Sequence, residues 1–209
     1  GKGITWEIIV VEDGSRDQTV RRVQEFALRQ KGVMLKTDPR RHGKGYAVRQ
    51  GVLSSKGEYV LFTDADLSAP IAELEKLLFN LKEGYDIAIG SRAMKESNIK
   101  TGLLRKIAGL IFNLIVRVLL LPDIVDTQCG FKCFRRDVAQ ELFSLQKMDG
   151  FSFDVEILYL ARLKGYRIKQ VPINWYQSSS SRVHLFRDSI RMFKDVLEIR
   201  RRLGSGGKI

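Results

Sequence analysis

The stretch "YVLFTDADLSAP", Tyr59 to Pro70, decides how this sequence reads. Tyr59 to Thr63 spell an apolar strand bounded by turn formers, which is how a strand buried on both faces of a parallel sheet looks. It ends on two aspartates one residue apart. Carboxylates at i and i+2 of a strand point the same way, and where the backbone turns at the strand's end both converge on one point. Like charges held close repel, so the pair is costly unless a cation lies between them. A hard divalent ion such as Mg2+ takes one or two carboxylates and completes its shell with water and substrate phosphates. One reading therefore assigns Asp64 and Asp66 to a metal that carries a diphosphate. The other leaves Asp64 solvated and makes Asp66 the cap of a helix starting near Pro70.

Working outward, the same grammar repeats. "ITWEIIVVEDGS" is a continuous apolar run closed by Asp13-Gly14, and a helix follows, capped near Ser15 or Asp17, with Val20, Val23, Phe26, Ala27 and Gln30 at helical spacing. Then come a strand "VMLKT", a helix from about Gly45 to Ser55, the Tyr59 strand, a helix from Pro70 and the strand "YDIAIGSR". Strands alternating with helices predict an α/β fold, a mostly parallel sheet flanked by helices. Such sheets bind ligands at the carboxyl ends of their strands, where Asp13, Asp64, Asp66 and Arg92 all fall.

The second half is more apolar. "LLRKIAGLIFNLIVRVLLLP" carries a thin polar stripe, Arg105, Gly109, Asn113 and Arg117, on a helix too interrupted to span a bilayer; it lies either in a membrane interface or in the core. "FSFDVEILYLARLKGYRIKQVPINW" predicts a helix ending at Gly165 and a strand ending at Trp175. The last helix, about Leu185 to Leu203, sets Ile190, Phe193 and Leu197 on one side and ends in Arg200-Arg201-Arg202. "SSSS", Ser178 to Ser181, reads as a loop.

Across 209 residues, lysine and arginine outnumber aspartate and glutamate 36 to 24, giving a net charge of +12 and favouring anionic partners such as phosphates, an acidic membrane or nucleic acid. The basic residues are not interleaved with aromatics, and acids cluster at the expected ligand edge, which argues against nucleic acid. Two cysteines, Cys129 and Cys133, and two histidines, His42 and His184, make no zinc-like set, and a reduced, cytosolic environment is the simplest reading. The cysteines read as small core residues and His184 as a loop residue. Glu156 reads equally as a buried structural carboxylate or a sugar contact. Trp175 and Tyr176 read as core aromatics or as an interfacial belt.

Asp13 before Gly14 could accept hydrogen bonds from a base or ribose while the glycine lets the backbone approach, or the dipeptide is an ordinary turn. Glycines flank Lys44 in "RRHGKGYAVRQG" at a helix start, which suits an anion, but the spacing of the nucleoside-triphosphate loop is lacking; the alternative is a solvated basic loop.

In order, "VVEDGSRDQT", "GKGYAVRQG", "FTDAD", "GSR", "DTQCGFKCF", "FSFDVEILYLA" and "VPINW" resemble the family-two inverting glycosyltransferases, in particular the subgroup of dolichyl-phosphate β-glucosyltransferases and polyprenyl-phosphate glycosyltransferases. The resemblance runs from about Glu7 to Arg202. It implies a GT-A-type, Rossmann-like, nucleotide-sugar-binding domain over residues 1–182, N-terminally truncated because the family's opening strand is absent, and a basic amphipathic, membrane-proximal helix over 183–209. It implies transfer of a hexose, glucose from UDP-glucose, to a polyprenyl (dolichyl-type) phosphate with inversion, aided by Mg2+ or Mn2+. GDP-mannose as donor is the alternative, as is a non-catalytic nucleotide-sugar- or nucleic-acid-binding module.

The resemblance places Glu12, Asp13, Gly14, Ser15, Lys44 and Asp64 at the nucleotide-sugar, Asp64 and Asp66 at the metal, Arg92 and Arg182 at donor or acceptor phosphates, and Asp126 near the sugar. Asp66, Asp126 and Arg92 form the expected catalytic set. Ser68 stands where mannose synthases often carry a further metal contact. The implied partners are a nucleotide-sugar, a polyprenyl phosphate and a membrane surface, without nucleic acid; the implied place is the cytoplasmic face of a membrane. A lipid phosphate, with a second pKa of about 6, needs no base, whereas an acceptor hydroxyl would need Asp126 or Asp154 to take its proton.

Overall fold

Strands and helices alternate through the computed structural model, which describes residues 3–94, 99–100, 103–176 and 185–204. The order is β1 (Ile8–Asp13), α1 (Thr19–Arg29), β2 (Val33–Asp38), α2 (Lys44–Ser54), β3 (Tyr59–Thr63), a short 3-10 turn (Ile71–Glu73) into α3 (Leu74–Lys82), then β4 (Ile87–Ser91) and β5 (Ile99–Lys100). There follow α4 (Leu103–Leu119), β6 (Phe131–Arg135), α5 (Arg136–Leu145), α6 (Phe153–Leu163), β7 (Ile168–Pro172), β8 (Trp175–Tyr176) and α7 (Leu185–Gly204).

Each strand and helix read from the sequence has a counterpart, but the strand expected to end at Trp175 is two, β7 ending at Pro172 and β8, and β5, β6 and α5 were not anticipated; β6 lies inside the main sheet. That sheet runs β3-β6-β4-β7, with β6 antiparallel to both β3 and β4 while β4 and β7 are parallel. Thr63, the last residue of β3, pairs with Phe131, the first of β6. The loop before β6, containing Asp126 and Gly130, is therefore delivered to the edge where β3 and β4 end. β1 and β2 form a separate parallel pair, tied to the start of β3 where the Glu7 carboxylate accepts the amides of Lys56 (2.6 Å) and Gly57 (3.0 Å). β5 and β8 form a third, parallel, pair.

Alternation along the strands builds two cores, one on each face. Val60, Phe62, Ile87, Ile89 and Phe134 face the helices α2, α4, α5, α6 and α7, while Ala88, Phe131, Cys133 and Val171 face Leu77 and Leu81 of α3. β4 is buried along its whole length, matching its unbroken apolar sequence. Cys129 and Cys133 are free and buried, and burial pushes both thiols up to about 12, so they behave as small core groups.

The two apolar helices each have two apolar rows. On α4, Phe112 and Val116, with Leu120 just past its end, enter the core, while Ile111, Leu114 and Val118 are exposed. On α7, Met192, Val196 and Ile199 are the buried row, and the side shared by Ile190, Phe193 and Leu197 faces outward. No described helix is long and apolar enough to cross a membrane. The Glu156 carboxylate, fully buried, accepts the amides of Lys147 (3.0 Å) and Met148 (2.8 Å) and pairs with Arg202, so it ties α7 to the body as a structural group.

Candidate active site

The end of β1 anchors the loop that leads into α2. Asp13 accepts the backbone amides of His42 (3.0 Å) and Gly43 (2.6 Å), with His42 Nδ1 at 3.0 Å. Glu12, buried, accepts the amide of Ser15. Gly14 has a φ of 73°, and a Cβ there would lie 3.2 Å from the Arg40–Arg41 backbone, so a side chain at this position would be strained and would crowd the loop. Asp17 accepts the amide of Thr19, the first residue of α1, although the capping position itself is Gln18, between the expected caps and the helix. The loop is wedged from the other side as well. A Cβ on Gly43 would lie 2.5 Å from the Asp149 carbonyl oxygen, and one on Gly45 2.5 Å from that of Met148. Lys44, between the two glycines, is thereby aimed at the end of β3.

There its Nζ lies 2.6 Å from Oδ1 of Asp64. Burial disfavours the charge on Lys44, but Asp64 and Asp154 outweigh it and hold the ammonium above the usual lysine range. The Asp64 amide donates to the Gly130 carbonyl (3.1 Å), and the carboxylate rests against Gly130, whose absent Cβ would fall 2.1 Å from Oδ2. The chain then reverses: the Leu67 amide donates to the Asp64 carbonyl (3.1 Å), Leu67 takes a φ of 51°, and Asp66 Oδ1 accepts the Ser68 amide (3.1 Å). Asp66 thus caps its own turn rather than the later helix, and it remains exposed. Two hard oxygen donors on one tight turn fit a divalent cation. No three His, Cys, Asp or Glu among the described residues gather as a metal group, so a cation at Asp64 and Asp66 would complete its shell from water and phosphate.

Behind this turn the charges are paired. Arg92, following β4, gives its amide, Nε and Nη2 to the buried Asp126 at 2.8, 2.9 and 2.9 Å, and its guanidinium lies 5.0 Å from the Trp175 ring centre. Burial alone would raise the Asp126 carboxyl, yet Arg92 holds it below the usual carboxylate range. On β6, Lys132 sits 2.5 Å from Asp154 of α6, with both side chains almost wholly buried, and also donates to the Cys129 carbonyl (2.6 Å). Burial raises the Asp154 carboxyl, with Lys132 opposing.

Asp13, Asp64, Asp66 and Arg92 thus share one edge, as the strand ends in the sequence placed them, and Lys44 and Asp126 join them there, but their partners differ from expectation. Asp13 and Glu12 hold backbone, and Asp126 holds Arg92. Arg182, His184 and the serine run lie outside the described residues. Two participants were missed. Lys132 hid in an unrecognised strand, its only signal a lysine inside "GFKCF"; Gly130 as the seat of Asp64 had no local signal.

The chain was compared with known proteins. The model of glycosyl transferase family 2 matches residues 2–143. A dolichyl-phosphate beta-glucosyltransferase of Trichomonas vaginalis is 36% identical over 204 residues, covering 93% of this chain and 62% of that protein. The dolichyl-phosphate beta-glucosyltransferase of Saccharomyces cerevisiae is 37% identical over 217 residues (95% of this chain, 65% of that protein), and that of Homo sapiens 36% over 212 residues (97% and 65%). The chain therefore spans less than two thirds of these relatives. Among solved structures, glucosyl-3-phosphoglycerate synthase from Mycobacterium tuberculosis, crystallised with Mn2+, UDP-glucose and phosphoglyceric acid, superposes with a TM-score of 0.69 at 20% identity, covering 94% of this chain and 68% of that one. The α/β architecture is of the GT-A type. With the family model covering most of its length and this site on its strand ends, the chain belongs to glycosyltransferase family 2.

Proposed function

We propose that this chain transfers glucose from UDP-glucose to a polyprenyl (dolichyl-type) phosphate with inversion at the anomeric carbon. The observation that carries it is the commitment of the site's two buried carboxylates: Asp126 to Arg92 and Asp154 to Lys132. Each is bonded to a cation, which leaves neither as a general base. A hydroxyl acceptor needs such a base, whereas a phosphate, whose second pKa is about 6, attacks without one. The relatives named dolichyl-phosphate beta-glucosyltransferases support the same acceptor and sugar.

In this reading an acceptor phosphate oxygen forms the new bond to the anomeric carbon as the bond to UDP breaks, and the electron pair leaves on the diphosphate. A divalent ion, Mg2+ or Mn2+, held by Asp64 and Asp66, would neutralise that charge. Arg92 presents its guanidinium toward the phosphates, and Asp126, buried behind it, acts as the residue that positions Arg92. Asp13, with Glu12, Gly14 and Ser15, shapes the wall that meets the nucleoside. The chain is expected to turn over UDP-glucose with dolichyl phosphate at least about tenfold faster than GDP-mannose, a gap within reach of polar discrimination. Equal rates, or transfer only to a hydroxyl acceptor, would overturn the assignment.

A lipid acceptor requires a lipid surface. The exposed rows Ile111, Leu114 and Val118 on α4 and Ile190, Phe193 and Leu197 on α7 stand with exposed Arg191, Lys194, Arg200 and Arg201, a pattern suited to an anionic bilayer interface. Phe193→Asp with Leu197→Asp is expected to lower co-sedimentation with phosphatidylserine vesicles about tenfold or more. Turnover of a short, water-soluble prenyl phosphate should persist. Unchanged vesicle binding would remove α7 as the docking helix.

A further inference from the structure

We infer that Lys44 occupies the metal's place on Asp64 until a nucleoside diphosphate arrives, so that cation and donor bind as a pair and each weakly alone. This rests on the reading of Asp64 as a metal ligand. The geometry is specific. Oδ1 of Asp64 holds the Lys44 ammonium at 2.6 Å, and the rest of the carboxylate lies against Gly130. A divalent cation and an ammonium on one carboxylate repel each other strongly in a partly desolvated site. Metal entry therefore displaces Lys44.

The lysine has few other partners within the protein. Asp154, the other acid near it, is already 2.5 Å from Lys132, and Asp126 is engaged by Arg92. Its backbone does not follow the side chain out, because Gly43 is bonded to Asp13 at 2.6 Å and both flanking glycines press on the carbonyls of Met148 and Asp149. Only the side chain moves, and it needs a new anion within its own reach. The diphosphate that arrives with the metal supplies that anion. Displacement of Lys44 is then unfavourable for the cation alone and compensated for the pair. Such coupling is reciprocal: the cation must tighten the nucleotide as much as the nucleotide tightens the cation.

The test is direct Mn2+ binding, followed by the electron paramagnetic resonance of the free ion, on the full chain and three variants, each checked for an unchanged thermal midpoint. Without nucleotide, Lys44→Met is expected to bind Mn2+ about tenfold more tightly than the parent chain, a coupling of ordinary size. Lys44→Arg, which keeps the charge, is expected to bind it as weakly as the parent. With UDP present, the gain in Mn2+ affinity should shrink in Lys44→Met by a similar factor. Asp64→Asn should abolish Mn2+ binding in every case. If Asp64→Asn loses Mn2+ but Lys44→Met gains nothing, or Lys44→Arg binds as tightly as Lys44→Met, the exchange is refuted while the metal site stands. If Asp64→Asn binds Mn2+ like the parent, the metal reading fails and the exchange with it.

Discussion

Changing Asp66 to asparagine is expected to lower kcat for glucosyl transfer about 10²- to 10³-fold with no change in thermal midpoint, the size of effect seen when one group stabilising transition-state charge is removed. The substitution separates two roles of the same side chain. Its Oδ1 accepts the Ser68 amide at 3.1 Å and closes the turn, and an asparagine oxygen can accept that bond unchanged. What disappears is the negative charge on the exposed end of the turn. Asp66→Ala removes both, so it should match the loss of rate and add a small loss of stability. Steady-state kinetics with UDP-glucose and a polyprenyl phosphate, beside thermal unfolding, decide the matter. Asp66→Asn turning over within threefold of the parent would show that the turn, not the charge, is what Asp66 provides.

Lys132→Met is expected to destabilise the fold by about 3–5 kcal/mol at neutral pH, because it leaves Asp154 as an uncompensated charge in the core. Lys132 projects from β6 toward α6, on the face that Phe134 and Phe62 also serve, where its ammonium meets Asp154 and the Cys129 carbonyl and lies 5.1 Å from the Phe62 ring centre. Burial already raises the Asp154 carboxyl, and without Lys132 it is left to Lys44, already paired with Asp64, to oppose that shift. The folded protein would then hold a proton on Asp154 that the unfolded chain releases more readily. Stability is retained while the carboxyl is protonated and falls as pH rises through its raised pKa. The deficit should therefore be smaller at pH 5 than at pH 7.5 in urea unfolding. The double change Lys132→Met with Asp154→Leu should recover most of the loss, since an apolar pair of similar volume replaces a buried ion pair at little cost. A double variant as unstable as Lys132→Met would show that lost packing, and not the stranded charge, sets the penalty.

The elements that define the fold differ in how legible they were. β1, β3 and β4 are unbroken apolar runs ending in Asp-Gly, Asp-Ala-Asp and Ser-Arg, so both the strands and the polar groups at their ends could be read locally. β6 could not. Five residues with a lysine second in line give no clear period, and the strand exists because β3 and β4, separated from it by long stretches of chain, hydrogen bond along both its edges. α7 shows the same limit in another form. Its sequence offers an apolar row at Ile190, Phe193 and Leu197 and another at Met192, Val196 and Ile199, and hydropathy ranks neither above the other. Packing against α4 and α6 buries the second and leaves the first outside.

The sequence by itself determined the α/β class, the strand ends that carry chemistry and the residue types gathered there, because apolar runs, glycine turns and charged termini are properties of neighbours along the chain. Only the tertiary structure decided which charge meets which. Asp126 is matched with Arg92 across 34 residues, because antiparallel β6 brings its leading loop to an edge otherwise formed by trailing ends, and Asp154 with Lys132 across 22, because β6 itself carries the lysine to α6. An ion pair forms by distance in space, which falls with the fold and not with separation along the chain, so the partners became visible only once β6 was in place.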